Sequence, residues 1–165
     1  MSVVVSMEEL LGWSDEASNF WKLHFDANPA LLELKCGIGG AATVQDLVRH
    51  IWAVDLRWAQ RLAGLPETPV ADFPAGPLEA LFDLHQRAAQ ILKGLIADPQ
   101  QDWDAPYTLK ASWLPQGEAT LSRRKVMGHA LFHGQRHWAQ LATLLREAGS
   151  PTGFRGDFLF CSSLK

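Results

Sequence analysis

Three histidines follow one another at intervals of four residues in the segment HALFHGQRHWAQL: His129, His133 and His137. Because an α-helix turns by about 100° per residue, side chains four positions apart lie close to one line along its surface. Two neutral imidazoles at this spacing commonly hold zinc, nickel, copper or iron. The spacing therefore favours a divalent-metal site over the alternative of separate, half-exposed histidines with polar neighbours.

The apolar face of this segment ranks the three histidines. That face is formed by Val126, Met127, Ala130, Leu131, Trp138, Leu141, Leu144 and Leu145. His137 lies within it and His133 at its edge, whereas His129 lies further round, towards the exposed side. We therefore expect His133 and His137 to point into the interior together and His129 to do so only obliquely.

A metal site needs at least one more protein ligand, which must come from another helix. The remaining histidines are His24, His50 and His85. His85 lies in the middle of the apolar stripe of the third helical segment, whereas His50 flanks the stripe of the second. Spacing alone leaves both His50 and His85 open as the third ligand, with His85 the better buried of the two.

Asp55 lies at the centre of the apolar face of the second helical segment, where carboxylates are uncommon. One interpretation, which we favour slightly, is an ion pair with Arg57 or Arg61 at the edge of the bundle. The other is a hydrogen-bond acceptor or general base beside the metal. Asp55 and His129 are thus the two candidates for a catalytic base.

Four amphipathic segments position these side chains. The first runs from the capping residue Ser6 to Asn28, the second from Thr43 to Gly64, the third from Pro77 to Pro99 and the fourth from about Thr120 to Ala148. Long connections at 29–42, 65–76 and 99–119 join them, and strand-like alternation is absent. The prediction is an all-α four-helix bundle with long crossover connections and a short C-terminal tail, in one domain over residues 1–165.

Composition narrows the class of protein. Hydrophobic residues at 47% and charged residues at 20% indicate a globular chain, and a net charge of −3 argues against nucleic-acid or membrane partners. The two cysteines form no CxxC pair, and the sequence shows neither a signal-peptide pattern nor a membrane-length apolar run, so we expect a cytoplasmic protein. Cys36 is interpreted as a small buried residue. The apolar tail GDFLFCSSLK is expected to fold back or to join a partner chain.

The fourth segment, HALFHGQRHWAQLATLLREAG, resembles the closing helix of DinB-like proteins, bacterial metal-binding four-helix bundles that include the YfiT-like proteins. The family pattern of three spaced histidines, a glutamine and a leucine–arginine–glycine ending is matched by His129, His133, His137, Gln140, Leu145, Arg146 and Gly149. The second segment, TVQDLVRHIWAVDLRWAQRLAG, is similar to the family's helix with a histidine, an acidic residue and a tryptophan before a glycine. Those places are taken by His50, Asp55, Trp58 and Gly64.

The resemblance implies a site for one divalent ion, zinc or nickel, formed by His50, His133 and His137. It makes His129 and Gln140 pocket or supporting residues, and His85 a core or pocket-lining histidine. The chain departs from many relatives at one point. They carry Arg-Gly where this sequence has Trp138-Ala139, so any role of that arginine does not carry over.

Three histidine ligands leave coordination positions open, at which a metal can activate water or a thiol. The resemblance implies thiol-dependent transfer or hydrolysis of a small molecule, because characterised branches include transferases and an isomerase that use low-molecular-weight thiols. It also implies a homodimer. The alternative is a non-catalytic, stress-responsive metal-binding protein in which the metal is structural or anchors a ligand.

Overall fold

The computed structural model of the protein describes residues 5–112 and 114–162. Its four long helices are α1 (Met7–Ala27), α2 (Val44–Ala63), α3 (Leu78–Ala97) and α4 (Arg123–Glu147). Short 3₁₀ helices lie at Pro29–Glu33, Ile38–Gly40, Val70–Asp72 and Phe158–Phe160. The predicted all-α four-helix class is confirmed. Within the described residues, none of the helices has the length and hydropathy needed to cross a bilayer.

The first two long helices begin where side-chain capping predicts. The Ser6 hydroxyl accepts a hydrogen bond from the Glu9 backbone N–H, and the Glu9 carboxylate accepts one from the Ser6 N–H at 2.7 Å. Thr43 and Asp46 form the same reciprocal pair at the start of α2. Gly64, with φ at +68°, ends α2 in the left-handed conformation that glycine favours. These caps fix where α2 begins and ends along the chain.

The connection between α3 and α4 contains an antiparallel β-hairpin, so the prediction that strands are absent is wrong. Strand β1 (Pro106–Lys110) pairs along its full length with β2 (Glu118–Ser122). Five-residue strands are too short for their period-two pattern to stand out from a loop. Ser122 ends β2 and also caps α4, which therefore begins at Arg123 and not at Thr120.

The core lies where each of α1 and α2 packs against both α3 and α4. Three fully buried indoles meet at its centre: Trp138 stacks on Trp21 with ring centroids 5.4 Å apart, and Trp52 meets Trp138 at 5.8 Å. Large buried aromatic side chains of this kind dominate the hydrophobic stabilisation of a core. Since this core holds α2 against α4, polar side chains at the edges of their buried faces are brought together.

The C-terminal tail folds back on α1, which is one of the two outcomes predicted for it. The indole Nε1 of Trp13 donates to the Gly156 carbonyl at 3.1 Å, and the Ser162 hydroxyl donates to the Glu16 carboxylate at 2.6 Å. Cys161 is buried in this contact. Cys36, in the connection before α2, is only half-buried, so it is less enclosed than the sequence suggested.

Candidate metal centre

Three histidines from two helices converge where α2 meets α4. His50 comes from α2, and His133 and His137 come from successive turns of α4. One ring nitrogen of each lies within 4.8 Å of the other two. The ring centroids of His133 and His137 are 4.7 Å apart, and that of His50 lies 5.3 Å and 5.2 Å from them. The structure thus brings together the three residues that the family resemblance implied.

The cluster has a closed side and an open side. His137 is 4% exposed, His133 is half-buried and His50 is exposed. On the closed side, Gly39 packs against His137. A Cβ atom added to that glycine would lie 3.8 Å from the His137 ring. Solvent and small molecules therefore reach the cluster from the His50 side.

Gln140 fixes the tautomer of His137. Its amide Oε1, which can only accept, lies 2.8 Å from His137 Nδ1 and therefore receives the proton on that nitrogen. The lone pair is left on Nε2, which accepts a hydrogen bond from Arg136 Nη2 at 3.1 Å. Histidines that bind metals commonly have the other ring nitrogen held in this way, so Gln140 lies where a supporting residue is expected.

The surroundings keep the three imidazoles neutral. Desolvation, together with the smaller effects of the neighbouring His137 and His50, lowers the pKa of His133 to about 3. Desolvation is also the main cause that lowers the pKa of His50 and of His137, and the Arg136 charge adds to both. Because only the unprotonated imidazole binds a metal, this electrostatic environment suits a ligand set.

The donor set fits a divalent ion. Nδ1 of His133 is buried and has no hydrogen-bond partner in the part of the chain that the structure describes. A buried polar atom without a partner costs free energy and calls for an explanation. Three neutral imidazoles, an unpaired buried nitrogen and a supporting amide match the preferences of zinc, nickel and similar ions.

The exposed side of the cluster opens into a cavity of about 420 Å³ that His50 and His133 line together with Trp58. His129 lies at its edge, with its ring 5.0 Å from that of Trp58 and 6.0 Å from that of His133. Desolvation, with a smaller effect of Arg136, lowers the pKa of His129. His129 is thus a neutral pocket residue and not a member of the three-histidine cluster.

Asp55 does not form the predicted ion pair with Arg57 or Arg61. Both guanidinium groups bind Glu67, which follows α2 in the chain. Asp55 is buried and instead lies 3.3 Å from Nδ1 of His85. The prediction is wrong because Asp55 lies on the buried face of α2. The two arginines lie at the edge of that face, where the carboxylate of Glu67 binds them.

His85 bridges two carboxylates in the interior. Its Nε2 lies 3.1 Å from Asp15, and its Nδ1 lies near both Asp55 and the Ser18 hydroxyl. Desolvation lowers the pKa of His85, but the hydrogen bonds to Asp15 and Asp55 outweigh it and raise the pKa to about 9. Desolvation in turn raises the pKa of Asp55. His85 is thus a protonated core histidine, in a group separate from the three-histidine cluster.

Arg136 was missed by sequence reasoning. It follows His133 by three residues, and that spacing places side chains on neighbouring rows of one helix face. Its guanidinium contacts the His137 ring and lines the cavity beside the cluster. The helical position could have identified Arg136, but a charged side chain is ordinarily expected to point into solvent.

A model of the DinB superfamily matches residues 6–141, which is most of the chain. The match includes His50, His133 and His137 and ends within α4, before the C-terminal tail. A search of curated proteins found no match.

Proposed function

The chain belongs to the DinB superfamily, and from this premise we propose that it binds one divalent ion through His50, His133 and His137 and uses it in a reaction on a small molecule. The observation that carries the proposal is the convergence of three ring nitrogens within 4.8 Å. Imidazole ligands suit zinc and nickel, which are the ions that we propose.

The residues around the cluster divide the remaining tasks. Gln140 orients His137 by accepting its Nδ1 proton. His50, on the exposed side, leaves room for an incoming ligand. An ion held there supplies Lewis acidity, which brings the pKa of a water or thiol towards neutrality.

Thiol-dependent transfer is the reaction class that we propose first. Hydrolysis is helped by a general base near the metal that moves the protons of the attacking water, and Asp55, one of the two candidates, is engaged with His85 in the core. Thiol activation depends less on such a base, because a thiol that coordinates a metal would lose its proton to solvent near neutral pH. His129, a neutral imidazole at the edge of the cavity, is the base that we would assign if the reaction is hydrolysis.

Metal content tests the ligand set. Wild-type protein should bind one equivalent of zinc or nickel, and His50→Ala, His133→Ala and His137→Ala should each lose it, as measured by elemental analysis and competition with a chromogenic chelator. His129→Ala is the matched control, because it removes a histidine one turn away on α4 and should keep the metal. Metal retained by His50→Ala, or lost by His129→Ala, contradicts the proposed ligands.

Catalysis is tested separately on the loaded protein. Small thiols are offered with a generic electrophile such as 1-chloro-2,4-dinitrobenzene, and thiol consumption is followed. We expect turnover that chelation and His137→Ala both abolish. No turnover, together with unfolding on chelation, would instead indicate a structural metal.

A further inference from the structure

Positive charge is concentrated around the cavity beside the cluster. The cavity is lined by His50, Val54, Arg57, Trp58, Arg61, His129, His133 and Arg136, none of which is acidic. Glu67 binds both Arg57 and Arg61. The Arg136 side chain hydrogen-bonds to His137, and over residues 5–112 and 114–162 no carboxylate forms an ion pair with it. Arg136 is therefore a cation without a counter-charge.

The guanidinium of Arg136 lies at the ligand cluster itself. Its Nη2 donates to His137 Nε2 at 3.1 Å, which is the nitrogen whose lone pair Gln140 leaves free. A guanidinium and a divalent cation cannot share one lone pair, so Arg136 has to release His137 when a metal binds. Its five N–H donors are then available to a group inside the cavity.

We propose that Arg136 binds an anionic group of the substrate. This inference rests on the proposed function and narrows its substrate class to small molecules that carry a metal-binding atom, such as a thiol sulfur, and a carboxylate a few bonds away. A carboxylate accepts two parallel hydrogen bonds from a guanidinium, an arrangement that a neutral group does not reproduce. Without the anion, the charge of Arg136 opposes the metal.

The cavity leaves room for a molecule of this kind. His129, His133 and Arg136 line both the cavity of about 420 Å³ and a second one of about 790 Å³. Trp13 and Phe158 contribute aromatic walls to that second cavity, which Asp157 also lines. A substrate anchored at Arg136 can therefore extend an apolar remainder against these rings.

Cobalt-loaded protein, in which cobalt substitutes spectroscopically for zinc, tests the inference by binding and not by activity. It is titrated with 3-mercaptopropionate and with the neutral methyl ester of that thiol, following thiolate-to-cobalt absorption. We expect wild type to bind the acid about tenfold more tightly than the ester, as one charge-assisted contact provides. Arg136→Gln should lose this preference and keep its affinity for the ester.

Arg136→Gln should also bind cobalt several-fold more tightly than wild type in buffer without coordinating anions, because a repelling charge has been removed. A residue that only supported the fold would not produce this gain. Arg146→Gln is the matched control: it removes the same charge from an exposed position on α4, about 15 Å further along the helix. It should change neither quantity.

The outcomes separate this inference from the function on which it rests. Equal affinity of wild type for acid and ester, no binding of either, or an unchanged preference in Arg136→Gln overturns the role of Arg136 and leaves the metal site standing. Wild-type protein that takes up no cobalt overturns the metal site, and the role of Arg136 with it.

Discussion

His85 and the three-histidine cluster lie in opposite electrostatic surroundings. Asp15 and Asp55 raise the pKa of His85 to about 9, although desolvation opposes them. Desolvation, with His137 and His50 nearby, lowers the pKa of His133 to about 3. The same side chain therefore holds a proton in one interface between helices and presents a lone pair in the other.

The neighbouring atoms make this difference, because burial disfavours the charged form of histidine in both places. Where carboxylate oxygens lie within hydrogen-bond distance of the ring, as they do at His85, the charged form is stabilised. Where the neighbours are imidazoles and Arg136, the neutral form is favoured. In this protein, carboxylate neighbours favour the protonated form of His85, whereas the histidine cluster keeps the neutral form that a metal would require.

The largest expected effect comes from removing the protonated side chain of His85. His85→Leu leaves Asp55 buried without its partner and should lower the free energy of unfolding by about 3–5 kcal/mol. Urea denaturation of metal-free protein at pH 7 measures this. His50→Ala, a change at an exposed site, should cost less than about 1 kcal/mol. The double variant His85→Leu/Asp55→Leu should regain most of the loss, and a failure to do so would show that the charge is not its cause.

The next largest effect concerns metal affinity, which should depend on the three-histidine cluster and not on His85. His133→Asn should weaken zinc binding by at least about 100-fold, because even changes to residues that only support a ligand cost about 10–100-fold. His85→Gln should leave zinc affinity within about twofold of wild type. Competition with a chromogenic chelator measures both variants, with circular dichroism to confirm folding. Equal losses in the two folded variants would contradict the division.

The pH dependence of stability tests the proton on His85. Because its folded pKa of about 9 lies above the ordinary value of 6.5, the protonated ring stabilises the fold fully below pH 6.5 and loses this contribution as the pH rises through 9. Relative to His85→Gln, in which the other histidines still titrate, the free energy of unfolding of metal-free protein should fall by on the order of 3 kcal/mol over that range. His85→Gln should show a much smaller fall, and an equal one would assign the titration to another group.

The smallest effect concerns the support of a ligand. Gln140→Ala removes the acceptor of the His137 Nδ1 proton and should weaken zinc binding about tenfold. Gln140→Glu keeps an acceptor and should retain the affinity. Gln90→Ala, at an exposed position on α3, is the control for a lost amide. Zinc titration of the three variants would refute the supporting role if Gln140→Ala matched the control.

Local signals made much of the fold predictable. Ser6 and Thr43 cap their helices through contacts three residues away, so the sequence contains both partners. The hairpin after α3 could not be predicted from such local contacts, because each of its five-residue strands is stabilised by pairing with the other strand. The tail is a similar case, because its position depends on Trp13 and Glu16 at the other end of the chain.

The candidate site was predictable only in part. Helical spacing identified His137 and His133 as the pair that points inward. It shows which face of each helix is buried, but not which helix packs against that face. His50 and His85 therefore stayed equivalent until the family resemblance separated them. The partner of Asp55 was beyond reach for the same reason, because it depends on which helix lies opposite and not on the arginines nearby in sequence.

Trp58 lies in the wall of the cavity beside the three-histidine cluster, 4% exposed, with the His129 ring at 5.0 Å and the Arg61 guanidinium at 4.7 Å. Paramagnetic ions such as nickel and copper quench the fluorescence of a nearby indole, whereas closed-shell zinc does not. Because the chain has seven tryptophans, a quenching ion at the three-histidine cluster should reduce mainly the share of the emission that comes from Trp58, and comparison with Trp58→Phe isolates that share.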